Sequence, residues 1–150
     1  MTETCTADTR ADPRVSDLLC FNLFAAARAV TSLYRPVLDR AGITYPQFLV
    51  LALLWEQDQR PIRELVQELG LDYSTLSPLV RRLENNGFLR RRNRPGDKRW
   101  VHVELTGEGR ALRWIVTALT EKLRAALEMD DEELVVLRSA LQRLQHNASH

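Results

Sequence analysis

Cysteine is nearly absent from this chain, with only Cys5 and Cys20 among 150 residues. Two cysteines cannot make the disulfide framework of a small secreted domain, and neither stands in a Cys/His cluster with zinc-ligand spacing. No metal or other cofactor is expected. The three histidines, His102, His146 and His150, are scattered. A glycine-rich dinucleotide fingerprint, a phosphate loop and a Ser/His/Asp grouping are all missing, so the chain is not expected to be an enzyme. No apolar run approaches the roughly 20 residues that a membrane-spanning helix needs, so no membrane partner is expected either. The N-terminal stretch MTETCTADTRADPR lacks the basic-then-apolar order of a secretory signal, and a cytoplasmic protein is the expectation. In a reducing cytosol a thiol that matters is reactive rather than structural.

Net charge is also small, +1 from 21 basic and 20 acidic residues. That balance hides a strong asymmetry. From Arg81 to Arg99 eight basic residues face only Glu84 and Asp97, so this segment carries +6 and the rest of the chain is acidic. A concentrated basic segment in an acidic protein is the electrostatic footprint of a polyanion partner. Charge alone leaves open a solvated basic face.

Hydrophobic periodicity predicts a mainly helical chain with one small β-hairpin. Residues 1–15 read as a polar tail, and residues 16–150 as a single domain. Ser16 and Asp17 look like a helix start, followed at helical spacing by Leu19, Leu23, Ala27, Val30, Tyr34 and Val37, with a kink or break expected at Pro36. Tyr45-Pro46 opens a second helix that is apolar nearly all round and therefore buried. Pro61 begins a short third helix that Gly70 ends, and Asp72 is placed to cap a fourth. Phe88–Asn93 and Trp100–Leu105 read as strands joined by a turn over Arg94–Lys98. Thr106 caps a fifth helix, with Leu112 to Leu127 on one face. Asp130 or Asp131 starts a sixth, with Leu134, Leu137, Leu141 and Leu144 inward.

Helices three and four, joined at Gly70-Leu71, have helix-turn-helix spacing. The fourth carries Tyr73, Ser74, Thr75, Ser77 and Pro78 in its first turns. Small hydroxyls there let the backbone approach a major groove and bond phosphates or base edges. Arg81 and Arg82 follow about one turn later. Arg94, Lys98 and Arg99 lie at the hairpin tip, where arginine can enter a narrow minor groove. Asp97, two residues before Arg99, can bond its guanidinium and fix its direction.

The stretch LVQELGLDYSTLSPLVRRLENNGFLRRRNRPGDKRWVHVELTGEGR resembles the winged helix of the MarR family of bacterial repressors. Asp97-x-Arg99 followed by Leu105-Thr106-x-x-Gly109 matches that family's wing motif. The resemblance implies a winged helix-turn-helix over 46–105 and an intertwined homodimer built from helices in 16–45 and 106–147. Such a dimer would read a pseudopalindromic double-stranded operator. Leu18-Leu19-Cys20-Phe21, Leu33-Tyr34-Arg35-Pro36 and Gly42-Ile43-Thr44-Tyr45-Pro46-Gln47-Phe48 further resemble the organic-hydroperoxide-sensing branch. That resemblance implies a redox sensor at Cys20, whose thiolate is bonded across the dimer by Tyr34 and Tyr45. A position near the start of a helix is itself favourable for a reactive thiolate. Phe21, Phe24 and Phe48 would then form a pocket favouring bulky organic peroxides.

Two departures stand out. Phe24 occupies a position where the family often has a third tyrosine. The resolving cysteine that some members carry near the C-terminus is missing, which leaves Cys5 as a possible resolving thiol or as an inert tail residue. Release by non-covalent binding of a small aromatic or phenolic ligand is the alternative. A thiol peroxidase would leave the basic hairpin unexplained.

Overall fold

A computed structural model describes residues 12–149; at the hairpin tip, Arg94 and residues 97–100 are described by backbone alone. Cys5 therefore lies outside the described residues, as do the side chains of Arg94, Asp97, Lys98 and Arg99. Two compact units divide the chain between Leu33 and Tyr34.

The first unit holds a 3-10 turn, Val15–Asp17, and most of helix α1, Leu19–Ala41. Ser16 and Asp17 thus form a separate turn ahead of the helix rather than its start. The Asp17 carboxylate accepts a bond from the Arg14 N–H at 3.2 Å. The Asn22 side-chain amide donates to the carbonyls of Ser16 (2.8 Å) and Leu18 (3.0 Å), tying the turn to α1. Leu19, Phe21 and Phe24 are exposed on this stretch. Pro36 does not break α1, which continues to Ala41. The proline is exposed, so water can satisfy the carbonyl that loses its helical donor.

The second unit contains the core. Helix α2, Tyr45–Glu56, begins with a reciprocal cap between Thr44 and Gln47 and buries Val50, Leu51 and Leu54 completely or nearly so. It packs against α3, Ile62–Leu69, and α4, Tyr73–Asn85. Gly70 closes α3 in the left-handed conformation, φ 62°, which glycine adopts without a Cβ penalty. Asp72 has the extended backbone of an N-cap, but its side chain makes no capping bond. Its carbonyl instead accepts from the amides of Thr75 and Leu76, both at 3.0 Å.

The sheet has three antiparallel strands in the order β1-β3-β2: β1 is Arg60–Pro61, β2 Leu89–Arg94 and β3 Asp97–Leu105. The hairpin turn is tighter than the sequence suggests. Arg94 pairs with Asp97, leaving Pro95 and Gly96 (φ 89°) as the central residues of a turn with type II composition. The two-residue β1, paired as Arg60 with Val103 and Pro61 with His102, has no counterpart in the sequence reading. It is held by Arg60, buried, whose guanidinium pairs with Glu64 (3.3 Å) and Glu68 on α3.

The expected fifth helix is two helices. Thr106 does cap the first, α5, Gly107–Ala111, by accepting from the Gly109 amide at 3.1 Å. A tight turn at Leu112-Arg113 then leads into α6, Trp114–Leu127. Asp130, rather than Asp131, caps α7, Asp131–Ala148, in a reciprocal box with Glu133. Contrary to the sequence expectation, α7 buries nothing within one chain. Leu134 and Leu141 are half-buried, Leu137 and Leu144 are exposed, and Val136 is 68% exposed.

Candidate nucleic-acid interface and sensor cavity

The apolar side of α4 places Leu76, Val80 and Leu83 in the core. Its other side presents Tyr73, Ser74, Thr75, Pro78, Arg81 and Arg82 to solvent, with Ser77 half-buried. A helix so divided leaves its polar side as one continuous exposed face. The basic hairpin follows four residues after α4. Not all of its positive charge faces outward to a partner. Arg91 pairs with Glu84 (2.7 Å) and Arg92 with Glu104 (2.7 Å), so charge counting alone overstates the cationic surface. Exposed pairs of this kind contribute about 0–1 kcal/mol each to stability. Their main consequence is to hold strand β2 to the end of α4 and to β3.

Tyr34 and Tyr45 stand side by side, with ring centroids 5.9 Å apart, and Phe48 lies 6.0 Å beyond Tyr45. These three rings line a cavity of about 300 Å³ together with Val116, Leu119, Leu123 and Leu127 of α6 and Leu134 of α7. Thr120, Arg124 and Arg138 supply its polar edge. Burial pushes both tyrosine pKa values above 10.0, and the neighbouring Tyr45 adds to the shift of Tyr34. Both phenols therefore stay protonated, and able to donate, further into alkaline pH than a free tyrosine.

The sign of the linkage follows directly. A folded pKa above the unfolded value gives stability that is complete below pH 10.0 and is lost as pH rises through the raised values. Near-ultraviolet titration of Tyr34→Phe and Tyr45→Phe against the parent chain is expected to show two late-titrating phenols, one missing from each variant. Ordinary titration of both would contradict the burial described here.

Of the other expected sensor residues, Phe48 lines the cavity, whereas Phe21 and Phe24 are exposed on α1. The Arg28 guanidinium lies over the Phe24 ring at 5.7 Å. Cys20 is the second residue of α1, exposed and with a free thiol. No group of His, Cys, Asp and Glu able to hold a metal occurs among the described residues. No single helix among them is long and apolar enough to cross a membrane.

Three features near the hairpin went unread in the sequence. Trp55 donates its indole N–H to the Gly109 carbonyl at 2.9 Å, in a buried bond. Asp58 accepts from the Leu105 amide and from Arg110, both at 2.9 Å. Arg60 is the third, and its spacing to Glu64 and Glu68 was the one available signal. For Trp55 and Asp58 the partners lie about 50 residues away, beyond any local pattern.

A helix-turn-helix followed at once by a hairpin on a small antiparallel sheet defines a winged-helix protein. The MarR family profile matches residues 43–101. Over 131 residues the chain is 35% identical to an organic hydroperoxide resistance transcriptional regulator of Bacillus subtilis (strain 168), covering 87% of this chain and 89% of that one. The chain belongs to the MarR family of DNA-binding transcriptional regulators. Reduced AbfR bound to DNA shares its fold at a TM-score of 0.71 and 32% identity, over 89% of this chain and 93% of that one. Disulfide-formed AbfR does so at 0.67 and 31%, over 91% and 94%. NadR in complex with 4-hydroxyphenylacetate matches at 0.74 and 27%, over 91% and 96%.

Proposed function

We propose that the chain is a repressor that binds a pseudopalindromic operator as a homodimer and releases it when an organic hydroperoxide oxidises Cys20. The observation that carries this reading is the pair of protonated tyrosines, Tyr34 buried and Tyr45 half-buried, on an apolar cavity, in a chain that also exposes a free thiol at the start of α1. Similarity to a hydroperoxide-resistance regulator and to AbfR, solved both reduced on DNA and in a disulfide form, supports it.

In the proposed chemistry the Cys20 thiolate attacks the outer oxygen of the peroxide. The O–O bond breaks, an S–O bond forms, and the alkoxide leaves and takes a proton to become the alcohol. Sulfur is oxidised by two electrons to a sulfenic acid. Tyr34 and Tyr45, approaching across the dimer interface, would donate to the thiolate. Cys5 or a small thiol would then condense with the sulfenic acid, with loss of water.

Dimerisation has its own support. Val135 and Val136 on α7, and Leu19 and Phe24 on α1, are 57%, 68%, 66% and 61% exposed. Large apolar side chains left exposed on each of these two helices fit an interaction surface. Two recognition helices must match a groove repeat of about 34–36 Å. A covalent change at the dimer interface that alters their spacing is sufficient for release. In this reading Tyr73, Ser74, Thr75, Ser77, Pro78, Arg81 and Arg82 contact the major groove, and Arg94, Lys98 and Arg99, with Asp97 orienting Arg99, serve the wing.

Operator binding by the parent chain and by Cys20→Ser tests the proposal. Both are expected to bind equally when reduced, and only the parent is expected to release on adding cumene hydroperoxide. Equal release by Cys20→Ser would refute the redox reading.

The cavity favours one second reading. Its apolar walls and the nearby Arg124 and Arg138 suit an aromatic or phenolic ligand bound without covalent change. Release that survives Cys20→Ser and is reversed by dilution, without reductant, would select it.

A further inference from the structure

The C-terminal end of α2 meets the root of the wing through three hydrogen bonds. Trp55 reaches the Gly109 carbonyl in α5. Asp58, two residues past the helix, uses one carboxylate oxygen for the Leu105 amide at the end of β3 and the other for Arg110. One four-residue segment thus grips the last residue of the wing and the first turn after it. The bond from the Leu105 amide to Asp58 is part-buried and charge-assisted, and such bonds are about twice as strong as neutral ones, whereas the exposed Arg110 pair adds little.

The opposite end of α2 carries Tyr45. From there the rings run without interruption. Ring centroids are 5.9 Å apart for Tyr34 and Tyr45, 6.0 Å for Tyr45 and Phe48, and 6.1 Å for Phe48 and Trp55. The row begins at the cavity and ends on the residue that holds Gly109. It follows a helix that is apolar nearly all round and packed on α3, α4 and β3. Close-packed interiors transmit a displaced side chain to its neighbours rather than absorb it.

We infer that Trp55 and Asp58 are positioning residues for DNA binding, coupling the state of the Tyr34–Tyr45 cavity to the placement of the wing. As a route for a biological signal, this rests on the reading of that cavity as the sensing end. The coupling itself is present in the reduced protein without any effector. It places the wing under the control of α2, the helix that forms one wall of the cavity. A brace with no such role would hold Leu105 equally well whatever occupied the other end of the helix.

The test is a double-mutant cycle on operator affinity, measured with the full reduced chain and no peroxide. Tyr45 and Asp58 sit at opposite ends of α2, ~18 Å apart at the helical rise. Substitutions so far apart with no shared partner ordinarily add to within about twofold in a binding constant. Tyr45→Leu is expected to weaken operator binding about tenfold in the parent background and less than twofold in Asp58→Asn. Trp55→Phe, which keeps a ring but removes the indole N–H, is expected to act as Asp58→Asn does. It serves as the second background should Asp58→Asn unfold. Thermal unfolding of each variant separates lost affinity from lost structure. Additive effects, or no effect of Tyr45→Leu in any background, would overturn the inference. Because no oxidant enters the cycle, its failure is distinct from a failure of the Cys20 proposal.

Discussion

Gly109→Ala is expected to destabilise the fold by about 3 kcal/mol and to remove operator binding. A Cβ at this position would clash with the Phe88 carbonyl oxygen and stand 2.9 Å from its carbon. Both are backbone atoms, so no side-chain rotation relieves the clash. The same carbonyl accepts the Thr106 amide at 3.1 Å, and Thr106 in turn caps α5. Alanine would have to push α5 away from the start of β2. That movement would strain the Trp55 bond to Gly109 and the cap together. Gly107→Ala is the matched control, because its Cβ would meet nothing within 4 Å. Urea unfolding of the two variants should separate them clearly, with Gly107→Ala near the parent. Similar midpoints for both would contradict the close approach described here.

Leu65→Ala should cost roughly 3 kcal/mol, within the 2–5 kcal/mol range for a fully buried leucine. Leu65 is completely buried on α3, as Leu76 is on α4. Removing it takes apolar contact from the core and leaves a cavity that close-packed neighbours fill only in part. The same helix holds β1 through Arg60, so loosening it also loosens the sheet edge beside the wing. A drop in the unfolding midpoint with little change in the denaturant slope is the expected signature. A change below about 1 kcal/mol would mean that the site collapses around the deletion and that α3 is not rigidly seated.

Much of this architecture is written locally in the chain. The all-round apolar character of 45–56, the two-faced pattern of 73–85 and the alternation of Val101, Val103 and Leu105 each specify their element through its own periodicity. The positive φ of Gly70 and Gly96 falls where the sequence places turns. What escaped was set by distant partners. A two-residue strand such as Arg60–Pro61 has no period to detect, and it forms because β3 and two glutamates of α3 lie beside it. The turn at Leu112-Arg113 interrupts an apolar spacing that still looks helical across it. Pro36 reads as a breaker, yet its exposed position in α1 allows the helix to continue.

The candidate site shows the same division. Tyr34, Tyr45 and Phe48 could be singled out in the sequence, but the cavity they line with α6 and α7 depends on packing. The inward face expected for α7 is only partly covered, with Leu134 and Leu141 half-buried and Leu137 and Leu144 exposed, and no local pattern says what packs against it. Asp58 and Trp55 look ordinary in sequence, and only their bonds to Leu105, Arg110 and Gly109 give them significance. The Asp97-x-Arg99 motif pointed to a wing, and the backbone forms that hairpin at the expected place.

In the proposed function, oxidation of the Cys20 thiol, rather than occupancy of the cavity, controls DNA binding. Its most direct test follows operator release and intact protein mass in the same samples, through stoichiometric cumene hydroperoxide and then excess thiol reductant. The released fraction should track the fraction of chains modified at Cys20, and reductant should restore both the mass and the bound state. Release from chains whose Cys20 remains unmodified would contradict the account.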